Sequence, residues 1–295
     1  MEKHAYLIMA FNNFNQLKKL ICLLDYKYND IYVHVDAKSS DFNKDIFKGI
    51  AKYSQLTFIE RIPVYWADYS QTQVTFNLLE TARKFEKYKY YHLLSGLDLP
   101  VKTNREIHEF FDHRNDLFLG IVPSVSEYTI KHICYKYYFL KSTGYRNSKF
   151  LKLINKINVE IRHLFLKQKN NAEYYDGWTW FSITDDFAKY CLLQRENVEK
   201  IYKKSLASDE VVFQTLAYTS TFKNRLYDIY DLKNGSQRYI DWDRGKPYVF
   251  SLEDFDELIN SNCMFARKFD EKKDSKIIDK IINYLSNEQK GENYE

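Results

Sequence analysis

Ala5-Tyr-Leu-Ile-Met-Ala10 is an apolar run that stops at polar Asn12-Asn13. It is followed by Leu17, Leu20, Ile21 and Leu24 at helical spacing, and then by Ile31-Tyr-Val-His-Val35, which ends on Asp36. Strand, helix, strand is the opening of an α/β sheet, and it leaves an acidic residue at the carboxyl end of the second strand. Ligands of open α/β sheets bind at that edge, where an aspartate accepts hydrogen bonds from a nucleoside. No glycine-rich loop follows the first strand, so the dinucleotide fingerprint is missing and redox chemistry loses its main support.

Working outward, Leu56-Thr-Phe-Ile59 reads as a third strand. Tyr65-Trp66-Ala-Asp68-Tyr69-Ser70 then leads into a helix carrying Val74, Leu78, Leu79 and Ala82. A Trp at such a junction either packs or stacks on a planar base. Tyr90-Tyr-His-Leu-Leu-Ser95 is the next strand, and Gly96 and Pro100 constrain the loop that presents Asp98 at the same edge as Asp36. Asn104 is expected to cap a helix through Phe111, ahead of a strand at 117–122. From 127 to 171 the alternation breaks: tyrosines crowd 128–145, and Lys149 to Lys167 forms a basic amphipathic segment. Phe150, Ile154, Ile157, Ile161, Leu164 and Phe165 fall on one face of it. Packing on its own domain is the simpler reading of that face, and peripheral membrane contact through 149–167 is the alternative.

Beyond it lie an aromatic strand over 177–183, with Trp178 and Trp180, and a helix begun by Thr184-Asp185-Asp186, where the acids are read as capping. Strand-like Leu226–Tyr230 follows, and a terminal helix covers 275–286. Ser208-Asp209-Glu210 precedes Val211, Val212, Phe213 and Leu216. Ser208 is expected to cap that helix, whose positive end would hold a carboxylate ionised and fit to act as a general base. The same letters also describe an ordinary helix start.

Composition narrows the classes. With 44 basic and 40 acidic residues the net charge of +4 is too mild for a nucleic-acid binder, and the 8 Gly and 4 Pro exclude linker-rich chains. Cys22, Cys134, Cys191 and Cys263 are too far apart in sequence for a zinc motif or a disulfide scaffold, which fits reduced thiols in the cytoplasm. No window approaches a membrane span. Asp36 and Trp66, with late cations, point to a nucleotide-sugar site. Asp241-Trp242-Asp243 has the letters of a metal-binding Asp-x-Asp motif, but it is short and comes late. Arg267 and Lys268, between Phe265 and Phe269, are the better neutralisers of a departing diphosphate.

Tyr32-Val-His-Val-Asp36-Ala-Lys-Ser39, Val64-Tyr-Trp66-Ala-Asp-Tyr-Ser70, Leu94-Ser95-Gly96-Leu97-Asp98-Leu-Pro100-Val-Lys102-Thr103, Ser208-Asp209-Glu210 and Phe265-Ala-Arg-Lys268-Phe-Asp270 occur in order. Together they resemble the core-2/I-branching β-1,6-N-acetylglucosaminyltransferase family, which also includes the peptide O-xylosyltransferases. The resemblance spans about residues 5 to 270.

It implies a GT-A-type fold, a Rossmann-like mixed sheet flanked by helices. It also implies a UDP-sugar donor, inversion, and no required metal or other cofactor. Glu210 matches the family's base. Asp36 and Trp66 match uridine contacts, with Ser95 and Asp98 beside them, and Arg267 and Lys268 match the diphosphate site. A further cation is expected near Arg244 or Lys246. Trp242 resembles an acceptor-supporting aromatic, and Trp180 and Asp209 are placed with it, as are contacts from 127–146. Ser95 stands where animal members have a cysteine. The chain is expected to be one domain over 1–290, with a nucleotide-sugar half (1–125), an acceptor-binding and catalytic half (126–290) and a disordered tail (291–295). The expected partners are a UDP-sugar and a glycan or lipid-linked oligosaccharide. The expected setting is a bacterial cytoplasm, or the inner face of its membrane, in surface polysaccharide synthesis.

Overall fold

The computed structural model describes residues 1–124, 127–141, 144–166 and 173–292. The strands are β1 (His4–Ala10), β2 (Asn29–Val35), β3 (Gln55–Phe58), β4 (Tyr90–Ser95), β5 (Asp98–Pro100), β6 (Phe118–Ile121), β7 (Gly177–Thr184), β8 (Arg238–Ile240) and β9 (Phe265–Arg267). The helices are α1 (Phe14–Leu24), α2 (Ser70–Phe85), α3 (Asn104–Asp112), α4 (Glu127–Cys134), α5 (Lys149–Leu166), α6 (Asp185–Leu193), α7 (Arg195–Tyr202), α8 (Val212–Tyr218), α9 (Leu232–Ser236), α10 (Phe255–Ile259) and α11 (Ser275–Glu292).

Six strands form the main sheet in the order β3-β2-β1-β4-β7-β6. The first four are parallel, and β7 runs antiparallel to both neighbours. This is the mixed, helix-flanked sheet expected from the sequence. β2 and β4 are buried along their whole length, as parallel strands covered on both faces must be. Alternation sends Tyr6, Ile8 and Ala10 into one apolar layer with α1, α3 and α11. Ala5 and Leu7 enter the opposite layer with α2, α6 and α8. Both layers draw on both halves of the chain. A second sheet, β5-β9-β8, extends the edge where β4 ends.

Arg238 fastens the two sheets. It is 1% exposed, lies over the Phe265 ring, and donates to the Leu93, Phe181 and Ser236 carbonyls and to Ser182 Oγ. Buried carbonyls at a sheet junction need donors, and one guanidinium serves several in a fixed plane.

Local details depart from expectation. Thr103, not Asn104, caps α3, in a capping box with Glu106. Asn104 is drawn inward instead, bonding Leu23 O and Asn29. Leu226–Tyr230 is not a strand: Leu226 makes one isolated bridge to Leu117, and Asp228 turns the chain through the Tyr230 and Asp231 amides. Asp185 and Asp186 do start α6, but each also binds an arginine, Arg83 and Arg225 respectively. Residues 291–292 close α11, and 293–295 lie outside the described residues.

A histidine cluster sits within the sheet. His92 Nε2 is 3.0 Å from His4 Nδ1, His4 stacks on His108 at 4.0 Å, and His108 Nε2 is 2.7 Å from Asn29 Oδ1. Burial holds His4 and His92 well below the ordinary histidine value and His108 down to about 4. Below the unfolded value of about 6.5 the unfolded chain therefore binds more protons than the folded one, and acid favours unfolding. Urea denaturation at pH 7.5 and pH 5 should show the loss, roughly 2 kcal/mol for each histidine still neutral at pH 5. Asn replacing His92 should flatten part of this dependence.

Candidate active site

The parallel strands end together, and their carboxyl ends form the floor of a cavity of about 450 Å³. β1 contributes Met9 and Ala10, β2 is followed by Asp36, and β4 ends in Ser95. Another hollow of about 490 Å³ lies between α4 and α7, lined by lysines and glutamates. It touches no strand end and none of the converging side chains described next, so the sheet-edge cavity is the candidate site.

Asp36 is held in place. Its Oδ1 accepts from the Lys38 and Val64 amides, and Arg61 bonds the Val35, Asp36 and Ser39 carbonyls around it. His34 Nε2 accepts from the Ile62 amide, and burial pulls its pKa down to about 4, so the ring stays a neutral acceptor. Across the cavity Trp66 is 49% exposed, an aromatic face open to a ligand. Its loop is fixed by Ser70 Oγ accepting from Tyr65 N and by Gln71 Oε1 accepting from Ala67 N.

Positive charge gathers on the remaining wall. Arg267 and Lys268 line the cavity, as expected, and Lys38 and Arg146 join them. Arg267 lies over the Trp180 ring at 4.3 Å, and its Nε is 3.5 Å from Asp98 Oδ1. Burial lowers the Lys268 pKa, and the neighbouring Arg267 lowers it further. Cations crowded to mutual cost around a hollow form a site for an anion.

Several expected residues fall elsewhere. Asp98 does not line the cavity. It is 1% exposed, takes hydrogen bonds from Ser95 N (2.9 Å) and Ser95 Oγ (2.6 Å), and positions Arg267 from behind. Arg244 is not at the cavity either: Asp241, Asp254 and Glu257 all bind it. Lys246 does not line the cavity either, whereas Arg146 does. Trp180, expected to meet the acceptor, lines this cavity. So do Tyr145 and Arg146, from the segment expected to meet the acceptor. Trp242 is 49% exposed and lies 6.5 Å from Trp178, so the aromatic corner on that side is Trp178 with Trp242. Asp241 of the Asp-x-Asp letters is engaged in a turn, accepting from the Asp243 and Arg244 amides. Among the described residues no His/Cys/Asp/Glu cluster is arranged to hold a metal ion.

The carboxylate pair is built differently from a capped helix. Ser208–Glu210 is a separate 3₁₀ turn, and α8 begins only at Val212. Ser208 caps nothing; its hydroxyl meets Thr72 Oγ1 at 2.7 Å, and Ala207 N donates to Ala67 O. These two bonds weld the turn to the loop that carries Trp66. Asp209 is buried and accepts from Gln71 Nε2 (2.6 Å) and Thr179 Oγ1 (3.1 Å). Gln71 also lines the cavity, so it links the pair to the anion site.

Neither acid is kept readily ionised, as a helix end would have done. Burial raises Asp209 to about 6. Glu210 has solvent-accessible surface yet is walled by enough protein to lose hydration, and that loss, with Asp209 and Asp176 adding like charge, raises it to about 8. The two titrate as one system. Asp176 itself is held by Thr129 Oγ1 at 2.7 Å.

Sequence reasoning missed Gln71, Asp176 and Arg146. Gln71 directly follows the Trp66 motif, and Asp176 precedes the aromatic strand, so their places in the chain were signals. Arg146 had none.

The chain has relatives among known proteins. The chain is 24% identical to xylosyltransferase 2 of Bos taurus over 308 residues, covering 95% of this chain and 33% of that protein. It is 23% identical to the human β-1,3-galactosyl-O-glycosyl-glycoprotein β-1,6-N-acetylglucosaminyltransferase over 299 residues, covering 90% and 65%. A β-glucuronosyltransferase of Arabidopsis thaliana is 23% identical over 323 residues, covering 98% and 65%. The chain thus spans a third to just under two thirds of these relatives. Residues 4–258 match the family model described as Core-2/I-Branching enzyme, and the chain belongs to that family.

Proposed function

We propose that this protein is an inverting glycosyltransferase that moves a sugar from a UDP-sugar to a hydroxyl of a glycan, free or lipid-linked, without a metal ion. The observation that carries the reading is the junction of an anion cavity with a raised carboxylate pair through a single residue, Gln71. Asp36 would accept from the uridine, and Trp66 would stack on a planar or sugar face. Arg146, Arg267 and Lys268 would meet the diphosphate, in the role a metal plays in other transferases.

In this mechanism the acceptor oxygen attacks the anomeric carbon in line. The new C–O bond forms as the bond to the diphosphate breaks, the hydroxyl proton passes to Glu210, and UDP leaves with its charge on the fixed cations. One base suffices for inversion. A carboxyl raised towards neutrality is a stronger base than an ordinary one once it is ionised. Asp209 tunes it, and the Trp178–Trp242 corner is the surface for the acceptor sugar. The relatives carry xylosyl, N-acetylglucosaminyl and glucuronosyl names. N-acetylglucosamine is the donor we favour, with xylose next.

Three measurements test the reading. Hydrolysis of a panel of UDP-sugars should be unaffected by EDTA; loss of turnover with chelator would assign the chemistry to a metal-dependent transferase. Glu210→Gln should keep UDP affinity by calorimetry while transfer falls by roughly 10²–10⁴-fold. Wild-type transfer should rise with pH through the raised titration of the pair. Asp209→Asn removes a like charge from Glu210, so the acid limb of that profile should move to lower pH. An unmoved limb would separate Glu210 from the titration.

A further inference from the structure

Among the described side chains of helix α5, an apolar stripe faces outward. The inward contacts of the helix are polar: Asn155 bonds both the amide and carbonyl of Tyr138, Asn158 donates to Lys136 O, and Glu160 pairs with Lys131. Val159 is the apolar residue buried among them, at 4% exposure. The opposite side carries Phe150 (70% exposed), Leu153 (52%), Ile157 (50%) and Ile161 (50%). Spacings of three and four put these on one stripe, about 16 Å long. Of the face expected to pack on the domain, Phe150, Ile157 and Ile161 are exposed and Ile154 is half-buried, while the side chains of Leu164 and Phe165 lie outside the described residues.

Along one edge of the stripe Lys149, Lys152 and Lys156 form a parallel row, all exposed. The one acid of the helix, Glu160, pairs with Lys131. An apolar stripe beside a row of like cations suits a surface that is apolar below and anionic above. A second copy of the chain suits it less, because an antiparallel two-fold pairing of the helices would set lysine row beside lysine row. No helix among the described residues is long and apolar enough to cross a membrane, so α5 would lie on the surface. We propose that α5 docks the protein on an anionic lipid bilayer. The helix starts beside the active site, since Lys152 lies 5.5 Å from the centroid of the Trp66 ring and bonds Arg146 O. Docking would therefore hold the cavity near acceptors carried at the bilayer surface.

The test is flotation of the full chain with vesicles of phosphatidylcholine alone and of equal parts phosphatidylcholine and phosphatidylglycerol. The expected result is binding to the mixed vesicles, weakened by raising salt from roughly 0.1 to 0.5 M. Ile157→Glu should reduce partitioning by about tenfold or more. Lys149→Gln with Lys156→Gln, away from the cavity, should reduce it while leaving UDP binding and circular dichroism unchanged, which guards against misfolding of the first variant. Absence of flotation, equal binding to both vesicle types, or wild-type binding by both variants would overturn the proposal. So would a dimer that Ile157→Glu dissociates in a protein that ignores vesicles. Lipid binding is read without turnover, so failure here leaves the transferase reading untouched.

Discussion

Asp98 has almost no solvent contact, and a carboxylate so placed must find partners or stay neutral. It finds them on two elements: the turn after β4, through Ser95 N and Oγ, and β9, through Arg267 3.5 Å away. Pairing of Asp98 with Arg267 is also a rung of the small sheet, and Phe269 N bonds Leu97 O one step further on. The end of the central strand and the late cationic segment are thus one rigid unit. Arg267 is clamped between this carboxylate and the Trp180 ring, so its guanidinium faces the cavity with little freedom left to lose on binding an anion.

The carboxylate pair depends on a second weld of the same kind. The Trp66 loop and the 208–210 turn are held by a backbone bond, a hydroxyl pair and the Gln71–Asp209 bond. Aromatic platform, anion cavity and proposed base therefore move as a unit. The weld also removes water from Asp209 and raises its proton affinity, and Glu210 is raised by its own loss of hydration and then by the like charge of Asp209. Position and reactivity come from one packing arrangement, as pre-organised sites require.

Helix α5 follows a different logic. Its polar inward face is satisfied by loop carbonyls and by Lys131, so the domain itself has no need of the apolar stripe. A stripe of that size kept in water is costly to solubility unless something covers it. Its closeness to Trp66 ties whatever covers it to the donor side of the site.

The sequence by itself indicated the sheet, since the apolar runs of β1, β2 and β4 alternate with helical periodicity, the pattern of parallel strands covered by helices. It also determined the motif residues that end those strands. Asp36, Trp66, Ser95, Arg267 and Lys268 were legible because strand ends and short loops place their side chains by local geometry. Residues joined across more than a hundred positions were not. Nothing local tells Gln71 that Asp209 will lie 2.6 Å away. Amphipathic periodicity told that 149–166 is a helix with an apolar face, but it could not say which way that face would turn. Only the tertiary structure decided these points, because burial, hydrogen-bond partners and the proton affinities they set belong to the assembled surroundings of a side chain and not to its neighbours in sequence.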